Sequence, residues 1–409
     1  MLGKRRILYG GVLLSIIVWF IMLMAGVGVA YSAEKTPVTR YWMSVSTEKG
    51  AFPGMTPGSM GPGALLGSIL GRGGDSGKRL QLQVNSPQPL PGDPKATHDI
   101  PPGQNMGPTL PLVTPEVSRD RSEVEGDRPE TKIEKPKMRM LVYWGCSETV
   151  RPGQPFVIDT EKASPAEFAK AFQGRYVSSQ NPPSPQGGRS YADWPNKKDS
   201  KRVPANSSLV GSHVVHGNYL PDIKFAIDSG HDFMAPVEFT SKKGSPAESF
   251  FFQWSTIPTA TGYFATAMGH DGKTGTMIIW TSSDVRETGG SLMNFLPNED
   301  VRRLIREKVV MPPSVTQCVV PKGIFKDAEG AMIQFIAYGD EMNVGYPPKP
   351  KDPVWTVKVR RKSTSMLPLM EMGGRGTSSG DESSGEGEQS TEKKEGLSPG
   401  KLLKGIFGR

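Results

Sequence analysis

Histidine is scarce in this chain, with five in 409 residues, and three of them lie close enough along the sequence to raise the question of a metal. Ser212-His213-Val214-Val215-His216 spaces two imidazoles three residues apart, and Ser229-Gly230-His231-Asp232 adds a third in a turn-like context. Neutral imidazole nitrogens with a carboxylate are common donors to zinc. The spacing works against a shared ion, because residues three apart on a strand point to opposite faces; His213 and His216 would converge only from a turn or a helix. No metal and no other cofactor is expected, with His213, His216 and His231 as weak candidates. Nucleophilic catalysis has no firmer footing: residues 137–362 contain neither a G-x-S-x-G turn nor an H-E-x-x-H helix, and carboxylates such as Asp193, Asp228, Asp232 and Asp284 are scattered.

Two polar-aromatic stretches could bind rather than react. Arg189-Ser190-Tyr191-Ala192-Asp193-Trp194-Pro195-Asn196 and Gly217-Asn218-Tyr219-Leu220-Pro221 put Tyr191, Asp193, Trp194, Asn218 and Tyr219 on turn-like chain, a composition suited to stacking on and hydrogen bonding a sugar or a peptide. The competing reading is that Trp194 and Tyr219 plug the edge of a core, since large aromatics mostly bury. The two cysteines, Cys146 and Cys318, are read as a disulfide closing a 172-residue loop; separate buried thiols are the alternative.

Eleven residues occur nearly twice. Pro62-Gly-Ala-Leu-Leu-Gly-Ser-Ile-Leu-Gly-Arg72 and Pro399-Gly-Lys-Leu-Leu-Lys-Gly-Ile-Phe-Gly-Arg409 agree at seven of eleven positions. On a helix, Leu65, Leu66, Ile69 and Leu70 share one face, as do Leu402, Leu403, Ile406 and Phe407. Segments this short and glycine-containing are marginal as free helices, so they would order on contact. That contact is a partner's groove, an anionic membrane surface met by Lys401, Lys404 and Arg409, or the protein's own fold.

Residues 1–33 read as an export signal or an uncleaved anchor: Lys4, Arg5 and Arg6 precede an apolar run from Ile7 to Ala30. Either outcome puts the rest of the chain outside the cytoplasm, as a periplasmic, extracellular or membrane-anchored protein. A net charge of +8 suits anionic surfaces, but no interleaving of basic and aromatic residues marks a nucleic-acid groove.

Organisation follows glycine and proline, 48 and 37 residues respectively. Residues 34–136 read as a largely extended or disordered arm, in which Arg79–Val84 alternates like a short strand and 106–113 could lie extended on a domain surface. Residues 363–409 read as a disordered, low-complexity tail. Between them, 137–362 offers many short strand patterns and two helix signals, one opened by Ser164-Pro165-Ala166-Glu167 and one capped by Asn298 over about Glu299–Lys308. The expected class is mainly β: one elaborated or two packed antiparallel sandwiches with two short helices.

One stretch has a family likeness. Phe252-Gln-Trp254-Ser-Thr-Ile257-Pro258-Thr-Ala260-Thr-Gly-Tyr263 resembles the Trp…Pro…Ala…Tyr signature of fibronectin type III-like sandwiches, over about residues 235–285. The resemblance implies that Trp254 and Tyr263 are core and that the domain offers binding surfaces. The function expected from all this is that of an exported, non-enzymatic envelope protein whose repeated motifs dock an envelope partner. The alternative is an exported hydrolase, or a carbohydrate- or peptide-binding domain, using the Trp194 and Tyr219 loops.

Overall fold

The computed structural model describes residues 38–50, 77–115, 139–159, 161–164, 174–178, 181–348 and 352–370. Its organising feature is one ten-stranded sheet. The order is β6 (Phe156–Asp159), β5 (Arg139–Trp144), β13 (Thr276–Thr281), β12 (Ala260–Asp271), β15 (Gly330–Gly339), β17 (Trp355–Pro368), β1 (Thr39–Gly50), β2 (Gly77–Ser86) and β7 (Ser190–Trp194), with β16 (Met342–Tyr346) also paired to β17. Two smaller sheets cover parts of it: β4 (Thr109–Leu112), β3 (Ala96–Asp99), β8 (Gly211–Gly217), β9 (Leu220–Ile227), and separately β10 (Phe239–Lys243), β11 (Phe250–Trp254), β14 (Gln317–Val320).

Side-chain alternation along each strand decides which face is covered. Tyr41, Met43 and Val45 on β1, Leu82 and Val84 on β2, Trp194 on β7, and Val357 and Val359 on β17 bury their side chains against Leu110, Val215, Tyr219 and Ile223 of the four-stranded sheet. The three-stranded sheet places Phe252, Trp254 and Val320 against Tyr263, Trp280, Ile333 and Phe335 of β12, β13 and β15. The result is two sandwiches that share one long sheet. On the opposite face of β12 and β15, Phe264, Ile336 and Tyr338 pack with Val301 and Leu304 of α1 (Asn298–Arg306) and with Leu292 and Leu296.

Strand β17, fourteen residues long, holds the halves together. Its first part pairs with β16 and its second with β15 on one edge, while β1 runs parallel to it along the other, from Thr39 opposite Trp355 to Gly50 opposite Met366. Midway along, the buried Arg361 donates to the Asp232 carbonyl at 3.0 Å and, through Nε, to the Asp340 carbonyl at 3.2 Å. One guanidinium thus ties β17 to the chain entering the second sandwich and to the β15–β16 corner. A disulfide joins Cys146, just beyond β5, to Cys318 on β14, with the Cα atoms 5.1 Å apart, and so links the long sheet to the three-stranded one.

The mainly antiparallel β class agrees with expectation, and the boundaries differ. Strands β1 to β4 lie in the stretch read as an arm, and β17 runs past residue 362. The Arg79–Val84 alternation is the middle of β2, whereas β1, β3 and β4 went unread among prolines and glycines; β1 carries its own Tyr41-Met43-Val45 alternation yet depends on β17 and β2 to become a strand. The aromatic stretch 189–196, read as a loop, is edge strand β7, and β8 begins at Gly211 rather than at Ser208. The helix signal after Ser164 lies outside the described residues. Pro297 holds the N-cap position of α1 and supplies no side-chain cap, and Asn298, expected as the cap, is the first helical residue; its side chain instead accepts from Glu341 N–H at 3.0 Å and donates to Asp340.

Candidate functional site

Trp194 and Tyr219 are 2% and 1% exposed and belong to the first sandwich core, so the aromatic faces on which a sugar would stack are inside the protein. Strand alternation separates their neighbours from them. Tyr191 and Asp193 fall on the outer face of the long sheet, where the Tyr191 hydroxyl donates to Asp193 at 3.0 Å. Burial pushes the Tyr191 phenol up to about 12 and also raises the Asp193 carboxyl. Asn218 is spent on backbone at the β8–β9 turn: its amide donates to the Asp93 carbonyl and its oxygen accepts from Lys95 N–H. The five residues therefore do not form one site.

The histidines part in the same way. β8 is a strand, so His216 faces outward beside Thr97 and Asp99, while His213 points into the core. His231 pairs with Asp228 in a separate loop. Among the described residues no three His, Cys, Asp or Glu side chains converge in a metal-holding group.

His213 instead ends a buried hydrogen-bond chain. Tyr41 Oη lies 2.9 Å from His98 Nδ1, His98 Nε2 lies 2.9 Å from His213 Nδ1, and His213 Nε2 lies 2.7 Å from the Leu209 carbonyl. A carbonyl can only accept, so with both rings neutral each proton has one consistent position: His213 donates to Leu209, His98 to His213, and Tyr41 to His98. Burial holds both imidazoles below the ordinary histidine range, and for His98 the neighbouring His213 adds to the effect. The Phe225 ring stacks on His213 with 5.0 Å between centroids. This is a satisfied core network, and sequence reading missed it because His98 and His213 are 115 residues apart.

Two further features lie along the parallel β1–β17 pair. At one end, Gly50 stands opposite Met366, and Gly77, the first residue of β2, stands opposite Glu48. Three chain passages therefore meet at one end of the sheet: the exit to 51–76, the return from it, and the exit to the C-terminal tail. Gly50 is at φ +123°, and a Cβ there would lie 2.1 Å from the Met366 carbonyl oxygen, so only glycine lets β1 leave at this point. Both repeated motifs, with Leu65, Leu66, Ile69, Leu70, Leu402, Leu403, Ile406 and Phe407, lie outside the described residues.

The second feature is a row of cations on the outer face. Alternation sends Lys358, Arg360 and Lys362 of β17 to the side occupied by Trp42, Ser44, Ser46 and Glu48 of β1. Lys358 pairs with Glu341 at 3.3 Å, Arg79 approaches Glu48 at 3.5 Å, and Arg360 Nε donates to Ser44 at 2.8 Å. Burial lowers Arg360 to about 10, against the pull of Glu341, and Lys362 to about 8, against the pull of Glu48. Val357-Lys358-Val359-Arg360-Arg361-Lys362 carries the signal in sequence, as a basic run continuing a strand pattern. No family model, curated protein or solved structure matches the chain. Residues and geometry alone carry the functional argument.

Proposed function

We propose that this protein is an exported, non-enzymatic envelope protein that docks a partner bivalently through its two repeated apolar motifs. The observation that carries the reading is the parallel pairing of β1 with β17, which sets Gly50 opposite Met366. Adjacent strands lie about 4.8 Å apart, so the segment after Gly50 starts beside Met366, and the segment after Met370 starts four residues further along the chain of β17. Eleven residues separate Gly50 from Pro62, and twenty-eight separate Met370 from Pro399. At no more than about 3.5 Å per residue, the two copies can reach at most about 40 and 100 Å from the sheet. A partner with two grooves inside that range would bind the second copy intramolecularly, with a gain of roughly 10²- to 10⁴-fold over one copy. Export is supported by the basic and apolar pattern of residues 1–33 and by the Cys146–Cys318 bridge, a bond that persists in oxidising compartments.

The test is affinity recovery from envelope extract with three full-length variants: Leu65, Leu66, Ile69 and Leu70 changed to Ser, Leu402, Leu403, Ile406 and Phe407 changed to Ser, and both sets together. A partner retained weakly by each single set and lost with both supports the reading, as does competition by a synthetic 399–409 peptide. Unchanged recovery in the double set overturns it.

A further inference from the structure

Lys362 is a charged side chain buried without an acceptor. It is 1% exposed, and its Nζ has no hydrogen-bond partner. Neither nearby carboxylate accepts from it: Glu48 takes the Ser46 hydroxyl at 2.9 Å and faces Arg79, and Glu341 pairs with Lys358 through Oε2, leaving its Oε1 without a partner. What Lys362 does touch is the Phe295 ring, with Nζ 4.6 Å from the centroid, and the Arg360 guanidinium lies 4.3 Å from that same centroid. Two cations therefore share one aromatic ring. An ammonium has three donors and nothing to accept, and a buried cation that lacks an acceptor is expensive. A ring quadrupole offsets only part of that cost.

We propose that the outer face of the β1–β17 pair is a small-anion site, in which a carboxylate or phosphate oxygen of a ligand accepts from Lys362 Nζ beside Phe295 and the positive field of Arg360. The hydroxyl-bearing neighbours fit an oxyanion: Ser46 stands opposite Lys362 in the β1 register, and the buried Thr364 lies two residues further along β17 on the same face. This site is independent of the docking motifs. It uses a buried face of the described sheet and none of the eight motif residues.

The experiment is thermal unfolding of the full-length, disulfide-bonded protein at constant ionic strength, with chloride replaced stepwise by inorganic phosphate, sulfate, acetate or citrate. The expected result is a Tm that rises by several degrees and saturates with one anion class. A response to phosphate and sulfate alone assigns a tetrahedral oxyanion, and a response to acetate or citrate alone assigns a carboxylate. Lys362→Met keeps the length of the side chain and removes the unpaired charge, so this variant is expected to melt in chloride at or above the wild-type temperature and to lose the anion-dependent rise. Selective 15N-lysine NMR gives a second readout, in which the bound anion moves the Lys362 titration upward. The proposal is overturned if no anion moves the wild-type Tm beyond its chloride value, or if Lys362→Met retains the rise.

Discussion

His98 and His213 share one proton between facing nitrogens 2.9 Å apart, inside a core that both strands close to water. Their folded-state titration is displaced downward, chiefly by burial, whereas in the unfolded chain both titrate near 6.5. The unfolded state therefore binds more protons below that pH. Stability is fully present above about pH 6.5 and falls as the pH drops through and below it, with a slope approaching about 1.4 kcal/mol per pH unit for each ring. Urea midpoints at pH 7.5, 6.5 and 5.5 check this. A flat profile would mean that the imidazoles are protonated within the fold.

Cys146 and Cys318 close a 172-residue loop. In the chain-entropy model such a bridge contributes up to about 5 kcal/mol by constraining the unfolded state. The paired Cys146→Ala and Cys318→Ala variant is expected to lose stability within that bound, and reducing the wild type should reproduce its melting temperature. Equal melting of oxidised and reduced protein would remove the bridge from the account.

Arg361 satisfies the carbonyls of both Asp232 and Asp340. Arg361→Met removes both donors, at about 1–3 kcal/mol for each group left unpaired. Arg361→Lys, which lacks the fork, should recover part of the loss. Denaturant midpoints across the three proteins rank them; a methionine variant as stable as wild type would show that water replaces the guanidinium without cost.

Gly50 and Gly77 begin and end the same connection but differ in tolerance. A Cβ at Gly50 meets the Met366 carbonyl, and its φ of +123° disfavours any other residue, whereas a Cβ at Gly77 meets nothing within 4 Å. Gly50→Ala should cost at least about 2 kcal/mol. Gly77→Ala should fall within about 0.5 kcal/mol of wild type. Similar melting of the two variants would mean that the end of β1 rearranges freely.

Much of the architecture is legible locally. Phe250–Trp254, Thr276–Thr281 and Gly330–Gly339 are strands marked by their own apolar, aromatic and β-branched runs, which suit strands covered on both faces. In the Phe252–Tyr263 stretch, Trp254 and Tyr263 meet edge to face in the core, with 5.7 Å between ring centroids. The cysteine pair needed only its count. β1, β3 and β4 were harder to see, because short strands among prolines and glycines are held by partners far along the chain: β1 binds β17 more than 300 residues away. The polar-aromatic stretches misled for a related reason, since Tyr191 and Trp194 look alike in composition and only the pleat tells which faces the core.

By itself, then, the sequence determined the mainly β class, the single pairing open to its two cysteines and the apolar runs of several central strands, all of which rest on composition or count. Tertiary structure alone decided that Trp194 is core, that His98 meets His213, that β1 and β17 run side by side to Gly50 and Met366, and that Lys362 is buried without an acceptor. Each of those depends on which strand lies alongside and which face is covered, and strand partners are chosen by contacts between residues far apart in the chain.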